Sequence, residues 1–68
     1  MMRTMKVLLH HPTREAVVKG PKKVEHVLRD LQILPDTVLV IRGDELIPDD
    51  EIVADGETIE IRPVISGG

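Results

Sequence analysis

Residues 24–42, VEHVLRDLQILPDTVLVIR, change their apolar period once, and that change decides the fold. In the first half Val24, Val27, Leu28 and Leu31 stand at i, i+3, i+4 and i+7, the stripe of a helix with one buried side. Glu25, His26, Arg29 and Asp30 fill the other side. Pro21 stands just upstream, where a missing N–H costs a helix little. Pro35 disfavours helical backbone at Leu34, so the helix is expected to stop between Leu31 and Leu34. Its β-branched residues lower its intrinsic propensity, so packing must hold it. In the second half Val38-Leu39-Val40-Ile41, within residues 37–42, makes a strand apolar on both faces. A strand of that kind is expected at the centre of a sheet.

Working outward, residues 5–10 read as a strand, His11-Pro12-Thr13 as a turn, and residues 14–19 as a second, antiparallel strand broken by Gly20-Pro21. Downstream, Gly43-Asp44 makes a turn and Glu45-Leu46-Ile47 a short strand stopped by Pro48. Asp49-Asp50-Glu51 opens a connection with Ile52 and Val53 expected to tuck inward, and residues 54–57 turn again. Thr58-Ile59-Glu60-Ile61-Arg62 alternates polar and apolar, the pattern of a half-buried strand, and Pro63 closes it. A hairpin, a crossover helix and a return of strands give an α+β fold, a mixed sheet of four to five strands with one helix on one face. The last strand must lie beside the first to bury Ile59 and Ile61. Residues 1–63 are expected as one domain and residues 64–68 as a flexible tail.

The composition excludes several functions. The chain has 68 residues and no Cys, which rules out disulfides, thiolate metal sites and a cysteine nucleophile. It has no Phe, Tyr or Trp, so it lacks the platforms on which single-stranded nucleic acid stacks. Its net charge of −3 does not favour phosphate backbones, and no direct nucleic-acid partner is expected. No apolar run is long enough to span a bilayer, and the N-terminus lacks the apolar segment of a signal peptide. The expectation is therefore a cytoplasmic monomer with no membrane partner. Charge is uneven: residues 1–35 hold seven Lys/Arg and three acids (+4), residues 36–68 two Lys/Arg and nine acids (−7). A basic partner surface would complement the second half; acids solvated in turns explain it equally.

No internal active site emerges. His10 and His11 are neighbours at a strand end and point to opposite faces, and His26 lies on the polar side of the helix, so no shared metal is expected. Asp49-Asp50-Glu51 lacks the spaced ligands and sharp Gly turn of a calcium loop. No phosphate-cradling Gly-rich loop occurs, and a domain this small has little room for a pocket. The chain is not expected to be an enzyme or to bind a cofactor. Gly67-Gly68 is what remains. Two residues without side chains make a thin strip of backbone able to enter a narrow channel and deliver one α-carboxylate, with the small Ser66 behind them. A frayed terminus is the alternative.

Residues 55–68, DGETIEIRPVISGG, resemble the C-terminal signature of the ThiS/MoaD/Urm-type sulfur carriers. The likeness extends upstream. Residues 24–34 are similar to that family's single helix, Thr37-Val38-Leu39-Val40-Ile41 to its central strand, and Gly43-Asp44-Glu45-Leu46-Ile47-Pro48 to its following turn. The resemblance implies the β-grasp fold of ubiquitin. It also implies that a ubiquitin-activating-type adenylyltransferase spends ATP to adenylate Gly68, and that a sulfurtransferase or cysteine desulfurase then leads to a thiocarboxylate there. A downstream synthase would accept the sulfur. Gly68 matches the modified residue, and Gly67 and Ser66 the segment that threads into the partner.

The ending is most similar to ThiS and TtuB-like carriers, which points to thiamine thiazole synthesis or tRNA 2-thiolation. A molybdopterin synthase small subunit is the alternative, though such subunits usually carry a phenylalanine before the proline and are longer. A ubiquitin-like modifier forming isopeptide bonds with lysines is another. Strands covered by a helix on one side leave an aliphatic patch on the other, expected to dock a partner through Leu39, Ile41, Arg62 and Val64. Burial of that patch in a homodimer or larger assembly is equally open. Arg62 would either guide the tail or pair with a glutamate across the sheet.

Overall fold

The computed structural model of the chain describes residues 3–10 and 13–64. In order the elements are β1 (Thr4–Leu9), β2 (Arg14–Lys19), β3 (Lys22–Lys23), α1 (Val24–Asp30), a 3₁₀ turn (Pro35–Thr37), β4 (Val38–Arg42), β5 (Glu45–Leu46), β6 (Ile52–Val53) and β7 (Thr58–Pro63). Five strands form a mixed sheet in the order β2-β1-β7-β4-β5; β3 and β6 form a separate two-stranded ribbon. Strand β7 runs parallel to β1 and antiparallel to β4. The last strand thus inserts beside the first, as burial of Ile59 and Ile61 required.

The apolar stripe of α1 closes one face of the sheet. Val24, Val27 and Leu28 share a core with Met5, Val7, Leu9, Val40, Ile59 and Ile61, and the partly buried Leu31 and Ile33 pack against it. The helix is short and has no side-chain cap at Lys23. Its first amides instead find backbone carbonyls from the acidic connection. Val24 N–H donates to Glu51 C=O and Glu25 N–H to Asp49 C=O, each at 2.9 Å, which satisfies donors that a helix start otherwise leaves open. The helix ends one turn before Pro35 acts. Gln32 adopts φ 61°, its N–H reaches Arg29 C=O at 3.0 Å, and Ile33 N–H reaches Leu28 C=O at 2.8 Å. This pair of bonds is the Schellman arrangement, with glutamine where glycine is usual.

Two expectations are corrected. Strand β4, expected at the sheet centre, is next to the edge. It pairs with β7 from Val38 to Ile41 but with β5 only at Ile41 and Arg42, and the centre is the alternating strand β7. A run apolar on both faces marked a strand whose outer side is left for something else, not one enclosed by neighbours. Ile52, expected to tuck inward, is 58% exposed while Val53 is fully buried. Both lie in an extended ribbon against β3, where successive side chains must point to opposite sides. Pairing also runs slightly past two strand ends. Ile47 N–H donates to Val40 C=O at 2.9 Å, and Val64 N–H donates to Thr37 C=O at 2.8 Å.

Candidate functional site: the open sheet face and the end of strand β7

Strand period and register fix what the uncovered face displays. On β1 the core takes Met5, Val7 and Leu9, so Lys6, Leu8 and then His10 face the other way. On β7 the core takes Ile59 and Ile61, leaving Thr58, Glu60 and Arg62 outside. On β4 Val40 is buried, so Leu39 and Ile41 lie outside. Register then aligns one row across all five strands: Glu15 opposite Leu8, Leu8 opposite Glu60, Glu60 opposite Ile41, and Ile41 opposite Leu46. In the adjoining row Arg62 stands opposite Leu39. Leu39 is 45% and Leu46 63% exposed, and Leu8 and Ile41 are partly covered. These four aliphatic side chains form the patch.

A polar seam runs through it. Glu60 Oε2 lies 2.6 Å from His10 Nε2 and 3.0 Å from Arg62 Nε. An ionised carboxylate only accepts hydrogen bonds, so the His10 nitrogen facing it carries the proton. These contacts stabilise the charged form and hold the Glu60 carboxyl below its ordinary range, with the His10 hydrogen bond the larger cause and the Arg62 bond the next. Arg62 therefore does pair with a glutamate, but with one two residues back on its own strand; its cross-strand neighbour is Leu39. At the far side of the face Lys6 Nζ and Glu15 Oε2 are 3.8 Å apart, an exposed pair of small energetic weight.

The end of β7 is anchored. The Val64 amide is tied to Thr37, which is itself held by the Thr37 hydroxyl donating to Leu34 C=O at 2.7 Å. Val64 is 47% exposed. Beside this end lies a hollow of about 220 Å³ lined by Leu9, His10, Arg14, Ile33, Val38, Ile61 and Pro63.

The structure thus brings Leu39, Ile41 and Arg62 onto one face, with Val64 at the end of the same strand as Arg62. Ser66, Gly67 and Gly68 lie outside the described residues, as does His11. Glu60, His10 and Leu46 were not singled out as site residues. Parity was the available signal: Glu60 sits between two buried isoleucines, and His10 continues the outward positions of β1. Among the described residues no group of three or more His, Asp or Glu side chains is placed to hold a metal, and no side-chain polar group is buried. The arrangement is suited to recognition. None of its groups is set up as a nucleophile with an adjacent base.

Comparison with known proteins agrees with this fold. The family described as the ThiS family matches residues 5–68. The sulfur carrier protein TtuB of Thermus thermophilus is 40% identical over 65 residues, which cover 94% of this chain and all of that protein. Among solved structures, the ubiquitin of Caldiarchaeum subterraneum superposes with a TM-score of 0.62 at 20% identity, with 100% of both chains covered. An N-terminal ubiquitin-like domain solved in solution gives 0.66 at 16% identity, covering 98% of this chain and 79% of that one. These two likenesses show the ubiquitin-like, β-grasp fold.

Proposed function

The chain belongs to the ThiS family, and from that premise we propose that it is a sulfur carrier whose reacting group is the α-carboxylate of Gly68. The observation that carries this reading is the extent of the family match, which runs from β1 through Gly67-Gly68. The carrier relative in Thermus thermophilus, matched over its full length, supports it.

A carboxylate does not acylate sulfur until it has a leaving group. In the proposed cycle a carboxylate oxygen of Gly68 attacks the α-phosphorus of ATP, and the bond to the bridging oxygen of the β-phosphate breaks. Pyrophosphate departs and an acyl-adenylate remains. A persulfide sulfur then attacks the carbonyl carbon and AMP leaves, giving an acyl disulfide. A thiol cleaves the S–S bond, releasing the thiocarboxylate and a mixed disulfide. Catalysis belongs to the partners: a ubiquitin-activating-type adenylyltransferase, a sulfurtransferase or cysteine desulfurase, and a synthase that accepts the sulfur for thiamine thiazole synthesis or tRNA 2-thiolation. The chain contributes access through Gly67, which has no side chain, and Ser66, whose side chain is small, a combination that suits a narrow channel. It also contributes a docking surface in Leu39, Ile41, Arg62 and Val64.

The test is incubation with ATP, the adenylating enzyme encoded in the same genome and a persulfide donor, followed by intact-mass analysis. Exchange of one oxygen for one sulfur is expected. Deleting Gly68, or appending one residue after it, should abolish the exchange; sulfur incorporation that survives either change refutes the reading. Gly-Gly remnants on target lysines without sulfur incorporation would assign the chain to protein tagging instead.

A further inference from the structure

The polar seam constrains what can cover the patch, an inference that rests on the sulfur-carrier reading above. Arg62 lies opposite Leu39, and Glu60 opposite Ile41, on neighbouring strands. A partner surface that covers Leu39 and Ile41 therefore also covers the Arg62 guanidinium. That group has N–H donors on three nitrogens in a rigid planar fork. The Glu60 carboxylate engages Nε at 3.0 Å. Among the described residues, neither terminal nitrogen of Arg62 has a hydrogen-bond partner. The other Glu60 oxygen, Oε1, makes no bond to Arg62, so the single Oε2 contact is all that Glu60 gives the guanidinium. A wholly apolar partner would strip water from a cation with unmade bonds, which is costly.

We propose that Arg62 determines partner specificity on this face by reading a carboxylate on the adenylating enzyme with its two terminal nitrogens. Glu60 is the positioning residue that fixes the plane of the guanidinium. His10 fixes Glu60 from the neighbouring strand, so the fork is set before the partner arrives. The partner thereby presents an acidic side chain set among apolar ones that meet Leu8, Leu39, Ile41 and Leu46. Bidentate pairing of this kind is geometric as well as electrostatic, and lysine does not reproduce it.

The test is ATP–pyrophosphate exchange by the adenylating enzyme from the same genome, with the full-length carrier varied as substrate. Arg62→Glu is expected to raise KM for the carrier about tenfold or more, and Arg62→Lys by a smaller factor, since a point charge replaces the fork. Glu60→Ala is expected to raise KM with kcat unchanged, and Glu60→Gln, which keeps an acceptor for Nε, to recover part of the loss. Lys23→Glu makes the same change in net charge at the start of α1, behind the opposite face, and is expected to leave KM at the unmodified value. Arg62→Glu removes one of the two bonds that Glu60 makes, so circular dichroism checks that each variant is folded at the assay temperature. An unchanged KM for Arg62→Glu, or an equal rise for Lys23→Glu, overturns the proposal while leaving the carrier reading intact. Absence of both exchange and sulfur incorporation with the unmodified carrier overturns the two together.

Discussion

Replacing Ile61 by alanine, and separately Ile52 by alanine, makes the same chemical deletion at two depths. Ile61 is 2% exposed on the central strand and belongs to the core shared with α1. Its truncation removes three carbons from a packed site and leaves a cavity, a change that costs about 2–5 kcal/mol. Ile52 has more than half of its surface in water already. Full burial of an isoleucine is worth about 1.5–3 kcal/mol, so Ile52→Ala should cost at most about 1 kcal/mol. Natural domains hold roughly 0.05–0.15 kcal/mol per residue, so a chain of this length has on the order of 3–10 kcal/mol to lose. Ile61→Ala is then a large fraction of the total and Ile52→Ala a small one. Urea unfolding followed by far-ultraviolet circular dichroism measures both, with the slope m checked for constancy. A small domain loses roughly 4–8 °C of melting temperature per kcal/mol, which separates the two variants in a thermal scan as well. An Ile52→Ala loss as large as that of Ile61→Ala would put both side chains in the core and refute the alternation assigned to β6. A loss below about 1 kcal/mol at Ile61 would refute the central position of β7.

Three further outcomes follow from particular contacts. Gln32→Gly relieves a left-handed residue at the end of α1 and should stabilise the fold by up to about 1 kcal/mol in the same urea assay, the gain being limited by glycine's greater unfolded-state entropy. The Glu60 carboxyl is held below the ordinary carboxylate range by its bonds to His10 and then Arg62, so the stability from these two bonds is fully present above that range and is lost as pH falls through the lower folded value. Melting temperature against pH should accordingly fall less steeply at the acid end for Glu60→Gln than for the parent. Arg42 Nη2 lies 2.6 Å from Glu51 Oε2 and Nη1 3.6 Å from Glu57 Oε1, and these contacts, the Glu51 hydrogen bond first, hold the guanidinium's pKa above its ordinary value. Arg42→Met should lower the melting temperature at low salt, and the difference should shrink in 1 M salt as screening weakens the partly exposed pairs.

Much of the fold was legible because it rests on local period. The stripe Val24, Val27, Leu28 and Leu31 could close only one face, and the alternation of Thr58–Pro63 could bury only Ile59 and Ile61. The same rule required Leu39 and Ile41 to share one face and Val38 and Val40 the other; the structure turned Val40 inward. The seam was not legible. Glu60 meets Arg62 two residues away but meets His10 from fifty positions earlier, and only the parallel pairing of β1 with β7 makes that contact. The Asp49-Asp50-Glu51 connection was similarly opaque. Its acids drew attention as possible ligands, whereas two of its backbone carbonyls cap the helix.

By itself the sequence determined which residues seek the core, where the chain must turn, and that Gly67-Gly68 carries no side chains. These follow from side-chain chemistry and from periods of 3.6 and 2 that need no knowledge of neighbours. Only the tertiary structure decided strand order and register. Those moved the most apolar strand off the centre, turned Ile52 to solvent, and set Arg62 against Leu39 with Glu60 holding it. Strand order is a non-local outcome because every strand offers the same backbone donors and acceptors along both edges. Which edges meet depends on how the whole chain buries its apolar faces at once.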